Sequence, residues 1–350
     1  MTNVVLITGV SRFLGGRLAA QLAADPSIDR VIGIDMMPPR TADLQLLGRT
    51  EFVRADIRNP LIAKVMTQAR VATVVHAALM ASPRAVGGRV AMQEMNVIGT
   101  MQLLAACQKS DTVERVVVRS TTAVYGCGPS DPAVFTEDMH PHDGSQAGYA
   151  KDAVEVEGYV RGFARRRPDV DVSVLRLAAI LGPTIDNAMT RYLAMPVVPA
   201  AIGFDPRMQL LQEDDAVEAL RLAATSHRPG VVNVAGDGVV LLSQVLRRAG
   251  RVRVPVPGAA LGLAATIVRN TGAVDVTAED ARYLNFGRVV DTTKLRTEFG
   301  FTPQHATGDA VESYLRGAPP RPRLALAAVG VGSRLLHARR ESRRLAMSGT

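Results

Sequence analysis

The fold is decided by the stretch Val4-Val5-Leu6-Ile7-Thr8-Gly9-Val10-Ser11-Arg12-Phe13-Leu14-Gly15-Gly16. Its apolar start predicts a fully buried parallel strand, and Thr8-Gly9 predicts a tight turn directly after that strand. Apolar residues then recur with the period of an amphipathic helix, at Leu14, Leu18, Ala19 and Leu22. A strand, a glycine turn and a helix N-terminus form an anion site, because free backbone N–H groups and the helix dipole converge there.

Two residues indicate which anion this turn would bind. A dinucleotide fingerprint has glycine at its middle position, where this chain has Arg12. The Cβ of Arg12 crowds a pyrophosphate, but its guanidinium can pair either with the pyrophosphate or with a 2′-phosphate. Asp35 follows the second predicted strand, about 20 residues beyond Gly15, where an acid accepts the ribose hydroxyls and repels a 2′-phosphate. This spacing favours NAD over NADP. The alternative for Asp35 is a strand-end residue that caps a turn.

The rest of the chain alternates between strands and helices. The next predicted strands cover residues 30–34, 51–55, 73–76, 116–118 and 172–177. This alternation predicts a parallel sheet covered by helices on both faces, which binds ligands at the carboxyl ends of its strands. The residues expected at that edge are Gly9, Asp35, Asp56, Ala77 and Thr121.

The pattern loosens after residue 183 and predicts a second, smaller unit. We expect a dinucleotide-binding domain over 1–183, with 208–235 returning to its sheet. Residues 184–207 and 236–318 are expected to form a substrate lobe, and 319–350 a basic, mobile tail.

Composition excludes several classes of protein. The chain is 47% hydrophobic and 21% charged, and its apolar runs are shorter than the ~20 residues of a membrane-spanning helix. Its two cysteines, Cys107 and Cys127, argue against a disulfide framework and for a reducing compartment. With no signal peptide recognised, we predict a cytoplasmic protein, and we predict no metal site.

The net charge of +8 is concentrated near the end of the sequence. Residues 319–350 hold seven arginines against Glu341, a net of +6, which leaves +2 for the other 318 residues. A nearly neutral body lacks the basic face of nucleic-acid-binding proteins, so we predict no nucleic-acid partner. The tail is either a mobile terminus or an amphipathic helix in weak contact with an anionic membrane surface.

The chain resembles the extended short-chain dehydrogenase/reductases, the NAD-dependent epimerase/dehydratase family, from about residue 3 to 316. It looks closest to actinobacterial members with UDP-glucose 4-epimerase-type names. The motifs that carry the resemblance are Thr8-Gly9 through Gly15, Asp35, Asp56-Ile57, His76-Ala77-Ala78, Asn96-Val97-Ile98-Gly99-Thr100, Ser120-Thr121, Val124-Tyr125-Gly126, Thr136-Glu137-Asp138, Tyr149, Arg176, Gly182-Pro183, Asp214-Asp215, Asn233 and Phe299-Gly300-Phe301-Thr302-Pro303.

This resemblance implies a Rossmann-type, doubly wound α/β fold with a smaller C-terminal substrate lobe. It also implies an NAD cofactor, a small-molecule substrate and a homodimer formed through the helices at about 90–109 and 149–166.

Carried over residue by residue, the resemblance makes Thr121 the residue that orients the substrate oxygen. Tyr149 becomes the acid/base that exchanges a proton with a substrate hydroxyl while the nicotinamide exchanges a hydride. A phenol with an ordinary pKa near 10 needs nearby positive charge for this work. The predicted cofactor contacts are Gly9, Ser11, Arg12, Phe13, Leu14, Gly15, Asp35, Asp56, Ile57, Ala77, Ala78 and Lys151.

One catalytic position departs from the family pattern. The family places a lysine four residues after the tyrosine, where this chain has Ala153. Lys151 lies two residues after Tyr149, about 200° around the helix, so its side chain starts from the opposite side. It is either a solvated helix lysine or, if the helix start is distorted, a ligand of the nicotinamide ribose. If Lys151 does not reach the nicotinamide ribose, Tyr149 has only the charge of NAD⁺ to lower its pKa.

Substrate positions depart as well. Family enzymes that act on sugar nucleotides usually have Asn at the position of Ala179 and Arg at that of Met208, and both contact the nucleotide diphosphate. Apolar lobe segments, including 257–268, form either an ordinary core or a pocket for a steroid, isoprenoid or lipid-type substrate.

We therefore predict an NAD-dependent oxidoreductase or epimerase, an isomerase, that acts on a hydroxyl-bearing, nucleotide-sugar-like substrate. The alternatives are a catalytically weakened NAD(H)-binding protein and a dehydrogenase for apolar substrates.

Overall fold

The computed structural model describes residues 3–40, 44–83, 87–139, 148–203, 205–257 and 277–317. Its strands are β1 (Val4–Thr8), β2 (Arg30–Asp35), β3 (Glu51–Arg54), β4 (Thr73–His76), β5 (Arg115–Thr121), β6 (Asp171–Leu177), β7 (Ala179–Leu181), β8 (Val197–Ala201), β9 (Arg207–Met208), β10 (Leu210–Gln212), β11 (Gly230–Val234), β12 (Val240–Leu241), β13 (Val252–Val256) and β14 (Gly287–Arg288). Its α-helices are α1 (Phe13–Ala24), α2 (Leu61–Ala69), α3 (Arg89–Gln93), α4 (Gly99–Lys109), α5 (Gly148–Arg166), α6 (Ala188–Ala194), α7 (Glu213–Thr225), α8 (Leu242–Arg248), α9 (Ala278–Phe286), α10 (Thr293–Thr297) and α11 (Thr307–Gly317).

Seven parallel strands form the central sheet, in the order β11-β6-β5-β4-β1-β2-β3. The central strand β1 is buried along its whole length, as its apolar sequence requires. Its register pairs Thr8 with Ile34 of β2 and with His76 of β4, so three strands end level with the Gly9 turn. Helices α1 and α7 pack over one face of this sheet, and α2, α4 and α5 over the other. The predicted Rossmann-type, doubly wound fold is confirmed.

The first turn is close-packed on both sides. Gly9 has φ +80°, and a Cβ there would lie 2.9 Å from the Ala78 Cα atom. A Cβ on Gly15 would lie 2.3 Å from the Gly9 carbonyl oxygen. Glycine at these two positions therefore allows β1, α1 and the segment after β4 to approach one another closely.

The helix predicted at 90–109 is interrupted by a π-helical turn, Glu94–Ile98, between α3 and α4. Asn96 lies in this turn and is buried. Its side chain accepts a hydrogen bond from Met80 N (2.7 Å) and donates to Met80 O (2.9 Å). The wider turn therefore ties this helix to the segment that follows β4.

A second hydrophobic core lies on the C-terminal side and includes Tyr192, Val198, Leu246 and Tyr314. Short strands surround it: β9 pairs with β12 and β14, β10 with β7, and β13 with β8. Strand β11 pairs with β6 in the central sheet, and α7 packs against β5 and β6. The domain boundaries at 183, 207 and 235 remain a prediction.

Several expectations concern other parts of the chain. The tail at 319–350 and most of the apolar segment 257–268 lie outside the described residues. The homodimer remains a prediction; Val90, Ile98 and Tyr159 are exposed on the helices expected to form it. Among the described residues, no helix is long and apolar enough to span a bilayer. No cluster of His, Cys, Asp and Glu side chains in the same ranges could hold a metal ion.

Candidate active site

A cavity of about 600 Å³ opens at the carboxyl edge of the central sheet. One wall comes from the sheet domain and includes Arg12, Phe13, Leu14, Ala77, Arg119, Thr121 and Tyr149. The opposite wall comes from the C-terminal elements and includes Ile180, Met189, Glu279, Leu284 and Arg288. The structure thus brings six of the predicted site residues together: Arg12, Phe13, Leu14, Ala77, Thr121 and Tyr149.

The N-terminus of α1 lies at one end of this cavity. Arg12 is the N-cap residue, with φ −110° and ψ 159°, and its side chain makes no capping hydrogen bond. The first-turn N–H groups are therefore not capped by that side chain and, together with the helix dipole, favour an anion. Burial lowers the pKa of Arg12, the nearby Asp35 carboxylate opposes this effect, and the charge of Arg119 adds to it. A half-buried guanidinium beside uncapped helix N–H groups fits a dinucleotide pyrophosphate.

Asp35 makes the hydrogen bonds expected of a turn-capping residue. Its carboxylate accepts from Ser11 N (3.2 Å) and from Met37 N (3.3 Å), and the Ser11 hydroxyl donates to the Met37 carbonyl oxygen. These bonds organise the turn between β1 and α1. Ribose recognition by Asp35 remains a prediction, as do the contacts of Gly9, Ser11, Gly15 and Ala78, which lie outside the cavity lining.

Asp56 is paired within its own loop. Arg58 Nη2 lies 2.7 Å from Asp56 Oδ2, and the same guanidinium reaches Glu94 at 2.9 Å. This pairing lowers the pKa of Asp56. Its neighbour Ile57 is buried against Gly99, and neither Asp56 nor Ile57 lines the cavity.

Tyr149 and Thr121 both line the cavity, and we call their part of it the tyrosine end. Tyr149 Oη is buried and has no hydrogen-bond partner of good geometry within the described residues. Burial raises the pKa of this phenol, and the Arg119 guanidinium and the Thr121 side chain beside it lower it. Lys151 is exposed and outside the cavity, and Ala153 is fully buried.

The sequence reasoning missed three charged residues that act on Tyr149, namely Arg119, Glu279 and Asp152. Arg119 could have been found by alternation, because it lies two residues before Thr121 on β5 and so on the same face. Glu279 Oε2 accepts a hydrogen bond from Ala150 N (3.0 Å), and burial raises its pKa to about 7. Asp152 is fully buried and forms two hydrogen bonds with Arg89, at 2.6 and 2.8 Å. The last two pairings join distant segments and give no local sequence signal.

Other motif residues serve the scaffold. His76 is buried between the hydroxyls of Thr8 and Thr100, at 2.8 Å each. Asp215 accepts hydrogen bonds from the backbone N–H groups of Gln304 and His305 and so fixes the segment after Phe301. These positions hold the fold around the cavity without lining it.

Residues 5–235 match the sequence profile of the NAD dependent epimerase/dehydratase family. The chain belongs to this family. Family membership confirms the resemblance inferred from the motifs, and since the family is NAD-dependent, it also confirms the predicted cofactor. Because the family consists of epimerases and dehydratases, its match supports an enzymatic role for this chain.

Two curated relatives illustrate the range of the family. An uncharacterized protein of Mycobacterium tuberculosis is 49% identical over 315 residues, which cover 90% of this chain and 84% of that protein. A UDP-glucose 4-epimerase of Mycolicibacterium smegmatis is 29% identical over 186 residues, 52% of this chain and 57% of that enzyme.

The fold is also found among solved structures. A UDP-glucuronic acid 4-epimerase from Bacillus cereus, in complex with UDP-glucuronic acid and NAD, has a TM-score of 0.70 at 20% identity and covers 90% of this chain and 98% of its own. MoeE5, in complex with UDP-glucuronic acid and NAD, has a TM-score of 0.68 at 22% identity, with the same coverage. At these identities the likeness shows the epimerase/dehydratase fold alone.

Proposed function

We propose that this chain is an NAD-dependent oxidoreductase or epimerase in which Tyr149 exchanges a proton with a substrate hydroxyl. The observation that supports this role is the buried, unpartnered Tyr149 Oη beside Thr121, on the wall of a cavity that begins at the α1 N-terminus. An unpaired buried hydroxyl is unfavourable by about 1–3 kcal/mol, so such groups in native proteins call for a functional explanation.

The residues divide the work along the cavity. The N-terminus of α1 and Arg12 hold the pyrophosphate, and Thr121 orients the substrate oxygen. NAD, when bound, would supply hydride-transfer chemistry, in both directions for an epimerase, at the carbon that carries the hydroxyl. The Tyr149 phenolate takes the hydroxyl proton as this carbon is oxidised, and the phenol returns the proton when it is reduced. Proton and hydride leave the substrate together, which balances the oxidation.

The test is Tyr149→Phe, assayed with a panel of UDP-sugars and of steroid and isoprenoid alcohols. NADH absorbance measures net oxidation, and chromatography of the sugar-nucleotide products measures epimerisation, which leaves no net NADH. We expect turnover to fall by about 10²–10⁴-fold, because a positioned acid/base is lost. The matched control is Tyr159→Phe, an exposed tyrosine on the same helix, which should keep full activity. Turnover in Tyr149→Phe equal to that of the wild type would disprove the role of Tyr149. Activity that appears only after Ala153→Lys would support the alternative of a weakened NAD(H)-binding protein.

A second candidate is a dehydrogenase for an apolar alcohol, which is favoured by apolar side chains on the cavity wall formed by the C-terminal elements. Ala179 lines the cavity with Ile180 and Met189, whereas Met208 is buried in the C-terminal core. Its neighbour Arg207 donates to the Ala133 carbonyl oxygen and does not line the cavity. Turnover of steroid or isoprenoid alcohols in the same panel, with none of UDP-sugars, would select this candidate.

A further inference from the structure

The buried phenol of Tyr149 needs a cation, and its own helix does not supply one. A phenolate out of water is strongly disfavoured unless positive charge lies close to it. One helical turn beyond Tyr149 stands Ala153, which is fully buried and uncharged. Lys151 is exposed and leaves the helix on another side.

Strand β5 carries a guanidinium to the same place. Arg119 lines the cavity together with Tyr149 and lies on the face of β5 that also presents Thr121. Its Nη1 atom donates to the Leu79 carbonyl oxygen (2.6 Å), which fixes the side chain against the segment after β4. Its Nε atom is buried and has no hydrogen-bond partner in the described ranges. Arg119 is therefore anchored at one end only, with donor capacity to spare.

The other arginines of the cavity lie beside groups other than Tyr149. Arg12 is at the N-terminus of α1 near Asp35, and Arg191 forms an ion pair with Asp186 at 2.6 Å. Arg288 donates its Nε to the Gly126 carbonyl oxygen (2.8 Å) and stacks over the Tyr283 ring, while its Nη2 is buried without a hydrogen-bond partner in the described ranges.

We propose that Arg119 is the cationic positioning residue of this site, whose guanidinium stabilises the Tyr149 phenolate that accepts the substrate proton. The inference rests on the proposed role of Tyr149. It places the activating charge on a strand of the central sheet instead of on the tyrosine helix.

The electrostatics around Tyr149 agree with this arrangement. After burial, which raises the pKa of the phenol, the largest influence is the Arg119 charge, which lowers it. Two carboxylates face the phenol and raise its pKa: Glu279 from α9 and Asp152 from α5. The charge of Arg119 also lowers the pKa of Arg12 and of His76, which places this guanidinium among the ionisable groups of the site.

The test follows the ionisation of Tyr149 itself. The protein is labelled with carbon-13 at the tyrosine Cζ atoms, NAD⁺ is added as the probe, and the Tyr149 resonance is assigned by its absence in Tyr149→Phe. In Arg119→Gln and Arg119→Met we expect its titration midpoint to rise by at least about one pH unit, a tenfold smaller phenolate fraction at a given pH. Urea unfolding identifies which of these two variants is as stable as the wild type, and the Tyr149 titration of that variant is compared with that of the wild type. An unchanged Tyr149 midpoint in a folded variant would overturn the proposal.

Control variants separate charge from structure. Arg119→Lys keeps the charge and should restore most of the shift, whereas Arg115→Gln removes an arginine from the far end of β5 and should cause none. The double variant Arg119→Gln/Ala153→Lys should bring the midpoint back toward the wild type, because the charge returns from another element. If Arg119→Lys fails to restore the midpoint, the effect lies in the bond to Leu79 and the proposal is wrong.

The two proposals fail in different ways. Unchanged Tyr149 ionisation in the Arg119 variants, with activity still lost in Tyr149→Phe, rejects Arg119 alone. Full turnover in Tyr149→Phe rejects the acid/base role, and with it the function assigned to Arg119, whatever the titrations show.

Discussion

Two tyrosine–arginine pairs, whose arginines lie on the neighbouring strands β5 and β6, differ in how their polar groups are satisfied. In the first pair, Tyr125 Oη accepts from Arg176 Nη1 (2.8 Å) and donates to Asn233 Oδ1 (2.8 Å). Arg176 also forms two hydrogen bonds with the buried Glu157 carboxylate, at 3.0 and 2.6 Å. Within this pair, the phenol and the guanidinium both have protein partners.

The second pair is Tyr149 and Arg119. Within the described ranges, Tyr149 Oη and Arg119 Nε are buried without hydrogen-bond partners. Both residues face a cavity, whereas Tyr125 and Arg176 do not line it. The same two residue types therefore have their polar groups satisfied in the first pair, whereas in the second pair the phenol and one guanidinium nitrogen are left without partners beside a cavity.

The largest effect on this comparison is expected from Glu157→Gln. Removing the carboxylate leaves the buried guanidinium of Arg176 without a counter-ion, which should lower the free energy of unfolding by about 3–5 kcal/mol. Urea unfolding followed by circular dichroism measures it, with Glu155→Gln on the same helix as the control. A loss below about 1 kcal/mol, the size of a surface ion pair, would show that the first pair is not a tightly coupled unit.

A smaller effect is expected at His76, a satisfied buried group in the neighbourhood of Arg119. Burial, assisted by the Arg119 charge, lowers its pKa from 6.5 to about 4. Between these values the unfolded chain binds a proton that the folded chain does not, so stability is full above pH 6.5 and falls as the pH is lowered. The contribution lost between pH 7 and pH 5 is about 2 kcal/mol.

The measurement compares urea unfolding of the wild type and His76→Gln at pH 7 and pH 5, where the wild type should lose more stability. Glu279, with its pKa raised to about 7, acts in the opposite direction but is common to both proteins and cancels. Equal losses in the two proteins would mean that His76 is protonated in the fold.

The smallest effect compares the two phenols directly. Tyr125→Phe leaves Arg176 Nη1 and Asn233 Oδ1 each short of a partner and should lower stability by about 1–2 kcal/mol. Tyr149→Phe removes a hydroxyl that has no partner and should leave the melting temperature unchanged or slightly higher. A larger loss of stability in Tyr149→Phe than in Tyr125→Phe would reverse the comparison.

The sheet could be predicted from sequence because its signals are local. A buried strand, a glycine turn and a helical period occur within the first 24 residues, and the later strands of the sheet again alternate with helices. Thr121 and Tyr149 were named from the family resemblance, and both line the same cavity. Periodicity contains no signal for the π-helical turn at Glu94–Ile98, which changes the helix phase within one continuous apolar pattern.

The remaining site residues depend on contacts between distant segments. Glu279 meets Ala150 across 129 residues of sequence, and Arg89 meets Asp152 across 63. Asp56 has the expected position but is paired by Arg58, two residues away, a competition that a motif does not reveal. Sequence motifs therefore indicate residues of the cavity, whereas the charges around it are set by contacts between segments distant in sequence.

The π-helical turn also sets how α3 and α4 are rotated relative to each other, and both helices contact α5, the helix that carries Tyr149. Asn96 in this turn donates to Asp152 (3.0 Å), and Arg89, one element earlier, binds the same carboxylate and the Gly148 carbonyl oxygen (3.0 Å). Deleting one residue from 94–98 would rotate the two flanking helices by about 100° relative to each other. Arg89 and Thr100 could then no longer keep their present partners together. The extra residue thus helps to set the angle at which the first turn of α5 presents Tyr149 to the cavity.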